Sequence, residues 1–146
     1  MNKKLIKIKG RESKMNEIKV RRGDLFYVDL PQNKKNIQSG IRPCVVVSND
    51  KANTFAPVIH VIPLTTRTKR MMPTHTILNN RYLPETSVAM AEQELLVNKN
   101  QLLERIGSCS RDEITKINKT IMVQNGLMDF VMELIHQTSN NNLVLA

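Results

Sequence analysis

A guanidinium and a hydroxyl at the ends of two apolar runs are the residues of this chain best suited to phosphate chemistry. Arg42 stands in Ser39-Gly40-Ile41-Arg42-Pro43, directly before Cys44-Val45-Val46-Val47, and Thr65-Thr66 closes the run Val58 to Leu64. The planar, permanently charged fork of arginine matches two phosphate oxygens at once. Gly40 leaves the backbone open beside it, and Pro43 fixes the chain where loop becomes strand. The Thr65 hydroxyl, at a strand end, can hydrogen-bond a phosphate oxygen or a leaving group. Further cations flank both: Lys34 and Lys35 in the loop Pro31 to Gly40, then Arg67, Lys69 and Arg70 after the threonines. In that loop Asn33, Asn36 and Gln38 add amide groups able to meet base edges.

The charge distribution points the same way. The 146-residue chain carries a net charge of +9. Nine Lys/Arg face two acids in residues 1–22, and eight face Asp50 alone in residues 31–84. Residues 85–146 reverse the balance, with five bases and eight acids. A basic block carrying the candidate residues, beside an acidic C-terminal third, implies a polyanion-binding face. With three Phe, two Tyr and no Trp, that face is no stacking platform, so any sequence preference comes mainly from hydrogen bonds. The His and Cys residues lack metal-ligand spacing, and no glycine-rich nucleotide loop is present. Cys44 and Cys109 are too few for a disulfide framework, and Cys44 reads as a small buried thiol. Charges interrupt every apolar run before membrane-crossing length, and the expected compartment is the cytoplasm.

The elements that must position these groups are short. Leu25 to Leu30, Pro43 to Val47 and Val58 to Leu64 read as strands, with weaker ones at Thr74 to Leu78, Ser87 to Ala91 and Arg105 to Ser110. Turn-rich connections cover Pro31 to Gly40, Asn49 to Pro57 and Asn79 to Pro84. One strong helix follows, capped by Ser110 or Asp112 and patterned by Ile114, Ile117 and Ile121. Asn125-Gly126 ends or kinks it before Leu127 to Ile135 continues in helical fashion. Short strands with one or two helices predict a compact antiparallel barrel. Residues 1–19 are expected to be a basic mobile tail, 20–137 the folded domain and 138–146 a short C-terminal tail. Either Met15 is the genuine start or residues 1–14 are an added basic extension.

Arg22-Gly23-Asp24, Gly40-Ile41-Arg42-Pro43 and Met72-Pro73-Thr74-His75, in this order and spacing, resemble the MazF/PemK toxins. These are small ribonucleases of bacterial toxin–antitoxin pairs that cut single-stranded RNA without a metal. The likeness covers roughly Val20 to Leu127. It implies an α+β, mainly-β fold: an SH3-like antiparallel β-barrel of the MazF/CcdB-like toxin type with a C-terminal helix. It also implies a sequence-selective endoribonuclease with no cofactor and no metal, working as a homodimer and inhibited by a MazE-like antitoxin whose acidic tail covers the basic face. Matched onto the family, Arg42 and Thr65 are the catalytic pair. Lys34, Lys35, Gln38, Ser39, Gly40, Thr66, Arg67, Lys69, His75 and Gln93 are the expected RNA contacts. Leu95 departs from the pattern, since relatives often carry a basic residue there.

Cleaving RNA needs no outside nucleophile, because the ribose 2′-hydroxyl attacks its own phosphate. The enzyme must assist proton transfer and stabilise charge on the phosphoryl oxygens. A guanidinium holds its proton far above neutral pH and is a poor general base, so the role that suits Arg42 is electrostatic. Strand neighbours face opposite sides, so only one of Thr65 and Thr66 is expected in the catalytic site, and spacing favours Thr65. The alternative is a non-cleaving barrel protein: a CcdB-like topoisomerase poison or an antitoxin-bound co-repressor.

Overall fold

The computed structural model describes residues 18–32, 35–68 and 70–141. Most of the expected basic tail (1–17), with Asn33, Lys34, Lys69 and residues 142–146, lies outside the described residues. The elements run β1 (Asp24–Leu30), β2 (Gly40–Val46), α1 (Asp50–Phe55), β3 (Val58–Thr65), β4 (His75–Leu78) and β5 (Ser87–Met90). Then come β6 (Leu95–Asn98), β7 (Leu102–Ser108), α2 (Arg111–Gln124) and α3 (Met128–Asn141), with short 3-10 turns at Ala91–Gln93 and Lys99–Gln101.

All strand pairs are antiparallel, in the order β4-β5-β3-β2-β1-β7, with β6 added to β3. β3 joins the two halves of the sheet. Its Val61 to Pro63 stretch pairs with β2 on one edge; on the other, Val58 to Val61 pair with β6 and Leu64-Thr65 with β5. The outer strands β4 and β7 do not pair with each other, so the expected barrel is an antiparallel sheet that does not close.

Alternation sorts the strand residues onto two buried faces. Phe26, Val28, Leu30, Cys44, Val46, Ile59 and Val61 form one cluster with Val20, Val97 and Leu102. Leu25, Val45, Ile62, Leu64, Leu78 and Ala89 form the other, which Ile117 of α2 covers. Each such buried Leu, Val or Phe contributes about 1.5–3 kcal/mol of transfer free energy. Ile18, inside the segment expected to be tail, packs against the first cluster.

The Arg22-Gly23-Asp24 triplet opens β1 by local geometry. Gly23 has φ +90 and donates its N–H to the Val46 carbonyl at 2.8 Å. Asp24 accepts from the Arg21 N–H at 2.9 Å and pairs with Arg105 at 3.1 Å. Arg22 is turned inward as a clamp, donating through Nε to the Val47 carbonyl (2.9 Å) and through Nη2 to Asn118 (2.7 Å). Its N–H bonds Asp50 at 2.6 Å and, more than any other contact, holds that carboxyl below its ordinary pKa.

α2 starts at a capping box: Ser110 Oγ accepts from the Glu113 N–H, and Glu113 accepts from the Ser110 N–H at 2.8 Å. It ends at Asn125, with Gly126 at φ +68. α3 continues to Asn141, so residues 138–141, expected in the C-terminal tail, are helical. Neither core cluster takes a residue from α3, which leaves Leu127, Phe130, Met132 and Ile135 exposed.

Both thiols are free. Burial pushes Cys44 far up against a weaker opposing pull from Arg42, and pushes Cys109 up to about 12. At neutral pH both are therefore protonated and poor nucleophiles. Native protein should consume almost no iodoacetamide at pH 7.5, whereas urea-unfolded protein should label at two sites; fast labelling of folded protein at Cys44 would contradict its burial.

Candidate active site

A cleft of about 370 Å³ is lined by Ser39, Gly40, Ile41, Arg42, Pro43, Leu64, Thr65, Thr66 and Ser87. The strand register explains why Arg42 and Thr65 meet there. Cys44 lies opposite Pro63 in the β2–β3 pair. Arg42 lies two residues before Cys44 and Thr65 two after Pro63, so each shares the face of its own strand with that paired residue. On the β1 side Arg42 is paired with Val28, a member of the first cluster. The strands thus place a cation and a hydroxyl where an apolar core gives way to solvent.

Each group is held locally. Arg42 donates from Nε to the Ser39 carbonyl at 3.0 Å. Among the described residues its terminal nitrogens have no protein partner, leaving the end of the fork for an anion. Gly40 has φ +79, a conformation that costs a side-chain-bearing residue, which lets the chain turn between Ser39 and Arg42. Thr65 is 8% exposed and closes a tight turn: Oγ1 accepts from the Arg67 N–H at 3.1 Å and donates to the Arg67 carbonyl at 3.2 Å. A hydroxyl has a second lone pair, and its proton rotates freely, so a phosphate oxygen can replace the Arg67 carbonyl. Thr66 is exposed, so alternation separates the two threonines in burial while both border the cleft.

The remaining expected contacts divide. Ser39 and Gly40 line the cleft with Arg42, while Lys35 and Arg67 are exposed on the loops beside it. Lys34 and Lys69 lie outside the described residues. Gln38 and Gln93 are joined to each other: Gln93 Oε1 accepts from the Gln38 N–H at 3.2 Å. His75 is turned away from solvent, its side chain 5% exposed. Its Nδ1 accepts from the Met72 N–H, and Nε2 lies 2.8 Å from Glu92, which also accepts from Thr74. Both ring nitrogens are engaged, and His75 is not among the cleft residues. Ser87, 4% exposed at the start of β5, lines the cleft without having stood out in the sequence. A lone serine before Val88-Ala89-Met90 carries no signal; only the pairing of β5 with β3 brings it there. The described cleft residues include no His, Cys, Asp, Glu or Lys, so the site offers a guanidinium and hydroxyls rather than a built-in base. Among the described residues no three His, Cys, Asp or Glu side chains are grouped to hold a metal.

The fold and site define a small antiparallel-sheet protein with an arginine- and hydroxyl-lined cleft at the β2–β3 end. Residues 21–124 match the family described as PemK-like, MazF-like toxin of type II toxin-antitoxin system. The endoribonuclease MazF of Staphylococcus saprophyticus is 35% identical over 111 residues, spanning 74% of this chain and 92% of that one. A mycobacterial endoribonuclease solved in complex with its cognate antitoxin has a TM-score of 0.64 at 26% identity, covering 74% of this chain and 96% of its own. MazF of Deinococcus radiodurans shares the fold, with a TM-score of 0.67 at 19% identity over 75% of this chain and 99% of its own. The chain belongs to the PemK-like, MazF-like family of type II toxins. The segment matched ends at residue 124, so α3 lies beyond it.

Proposed function

We propose that this toxin is a sequence-selective endoribonuclease that cuts single-stranded RNA by 2′-hydroxyl attack in the Arg42–Thr65 cleft. The observation that carries the reading is that Arg42 and Thr65 line the same cleft. RNA supplies its own nucleophile, so the protein has to orient the phosphate and offset charge as it builds on the phosphoryl oxygens. The terminal nitrogens of Arg42 hold the two non-bridging oxygens, and Thr65 hydrogen-bonds the departing 5′-oxygen. The 2′-hydroxyl gives its proton to solvent water as its oxygen bonds phosphorus, and the 5′-oxygen takes a proton from water as its own bond breaks. Arg42 stays charged throughout, because surrendering its proton is too costly near neutral pH. Lys35 and Arg67 hold flanking phosphates. A non-cleaving barrel protein would have no use for this pair of groups, and no observation favours that alternative.

The protein acts in the cytoplasm as a homodimer, and a MazE-like antitoxin with an acidic tail neutralises it by covering the basic face. The mycobacterial relative solved with its antitoxin supports the pairing. Among the described residues no helix is long and apolar enough to cross a membrane.

Mapping RNA 5′ ends after induced expression tests the activity: cleavage should appear at one short recurring motif. Because the ribose supplies the nucleophile, purified protein should cut equally well in EDTA. The products should be a 2′,3′-cyclic phosphate, or its hydrolysis product, and a 5′-hydroxyl. Activity lost in chelator and restored by Mg²⁺ would refute this mechanism.

A further inference from the structure

The residue facing the Arg42 loop from outside the cleft is Gln93, in the turn Ala91–Gln93 that joins β5 to β6. Its amide uses both ends on the β1–β2 connection. Oε1 accepts from the Gln38 N–H at 3.2 Å, and Nε2 donates to the Asn36 carbonyl at 2.7 Å. Asn36 has φ +73, the only non-glycine left-handed residue among the described residues. That backbone state is one most side chains avoid, and an external bond to its carbonyl helps to hold it. One residue beyond Gln38, the Ser39 carbonyl fixes Arg42 Nε.

At its other end the same turn is anchored to the Thr65 side of the cleft. β5 precedes it and pairs Val88 with Thr65. The Ala91 N–H bonds the Thr74 carbonyl at 3.0 Å, and Glu92 holds Thr74 and His75. An unbroken path of bonds therefore runs from Thr65 through β5 to Gln93, across to Asn36 and Gln38, and on through Ser39 to Arg42.

We infer that Gln93 is a positioning residue for the cleavage reaction: its amide straps the Asn36–Ser39 loop to β5 and so sets where Arg42 stands relative to Thr65. This assignment rests on the proposed nuclease reading. It differs from a direct RNA contact, since both functional ends of the amide are occupied by backbone. The chemistry is particular to an amide, which accepts at one end and donates at the other. A carboxylate of the same size keeps the Gln38 bond but turns an oxygen toward the Asn36 carbonyl. Once protonated, it can donate there again.

Single-turnover cleavage, together with binding of an RNA whose 2′-hydroxyl at the cleavage site is removed, separates the possibilities. Gln93→Met keeps length and loses both bonds; it should lower the cleavage rate about 10-fold or more with little change in affinity, since a small misplacement of a reacting group is costly. In an Arg42→Lys background, where the Nε bond to Ser39 is already gone, the same change should cost under about twofold, because positions acting through one contact are not additive. Gln93→Glu should be impaired at pH 7.5 and recover relative to wild type as pH falls toward the carboxyl range near about 4.3. Equal losses in both Arg42 backgrounds, weakened binding at an unchanged rate, or a flat relative pH profile for Gln93→Glu would each overturn the assignment. If Gln93→Met does not fold, Gln93→Glu and its pH profile decide alone. Wild-type protein that cuts no RNA would instead overturn the nuclease reading itself.

Discussion

Arg42→Ala is expected to lower the cleavage rate by about 10²-fold or more while the protein still folds and still binds a non-cleavable RNA. The asymmetry follows from where the arginine acts. In the proposed reading Lys35, Arg67 and the other exposed cations bind the ground-state backbone electrostatically, and removing one cation from many changes affinity modestly. The charge that builds on the phosphoryl oxygens is local, and the open end of the Arg42 fork is the fixed positive group inside the cleft. Arg42→Lys keeps the charge but loses both the paired geometry and the Nε bond to Ser39, so its rate should fall between the two. Thr65→Val removes a hydroxyl and also the cap on the Arg67 N–H, and should cost less than Arg42→Ala. Thr66→Val should cost least, because Thr66 is exposed at the rim. Arginine keeps its proton across the working range, so no inflection in the pH–rate curve between mildly acidic and mildly alkaline values should disappear in Arg42→Ala. In cells the alanine variant should no longer arrest growth. An alanine variant that cuts at the wild-type rate would remove Arg42 from the mechanism.

How much of this was legible beforehand depended on whether the signal was local. Most of the expected strands exist because their apolar runs are buried on one or both faces, β7 is held by its pairing with β1, and Ser110 and Gly126 bracket α2 as helix-end chemistry requires. Two elements were not visible. In Leu95-Leu96-Val97-Asn98 only Val97 is fully buried, so β6 is defined by its edge pairing with β3 rather than by a pattern. α1 spans six residues, and its one buried residue is polar: Asn53, held by Ser48 and Asp50. A buried asparagine satisfied by its neighbours has no periodic signature.

The site divides the same way. Arg42 and Thr65 lie at strand ends whose order suffices to bring them together. The roles of His75 and Gln93 depend on partners far along the chain: Glu92 for one, Asn36 and Gln38 for the other. Both were expected to face RNA, and both have their polar atoms engaged by protein. Arg22 shows the same lesson in reverse, since a residue counted into the basic surface proves to be an internal clamp on Val47 and Asn118. Composition counts charges, but only the fold decides which of them a polyanion meets.

That distinction makes the Arg22-Gly23-Asp24 opening a stability element, and Gly23→Ala should show it. The φ of +90 is unfavourable for any residue with a Cβ, and a Cβ built there would lie 2.8 Å from Ile114 Cδ1 and 3.4 Å from Cγ1. The backbone has little room to relax. The Gly23 N–H is bonded to the Val46 carbonyl at 2.8 Å, and its own carbonyl accepts from the Cys109 N–H at 2.9 Å. The strain should therefore appear as lost stability, about 1–3 kcal/mol, read as a lower urea midpoint with an unchanged slope. Two comparisons separate its parts. Gly40 has φ +79 with nothing within 4 Å of an added Cβ, so Gly40→Ala reports backbone strain without crowding. Ile114→Ala in the Gly23→Ala background removes the crowding and keeps the strain, so the two changes together should cost less than their sum. If Gly23→Ala unfolds at the wild-type midpoint, the triplet is not the strand-opening device described for it, and β1 must be held by Asp24 and the strand pairing alone.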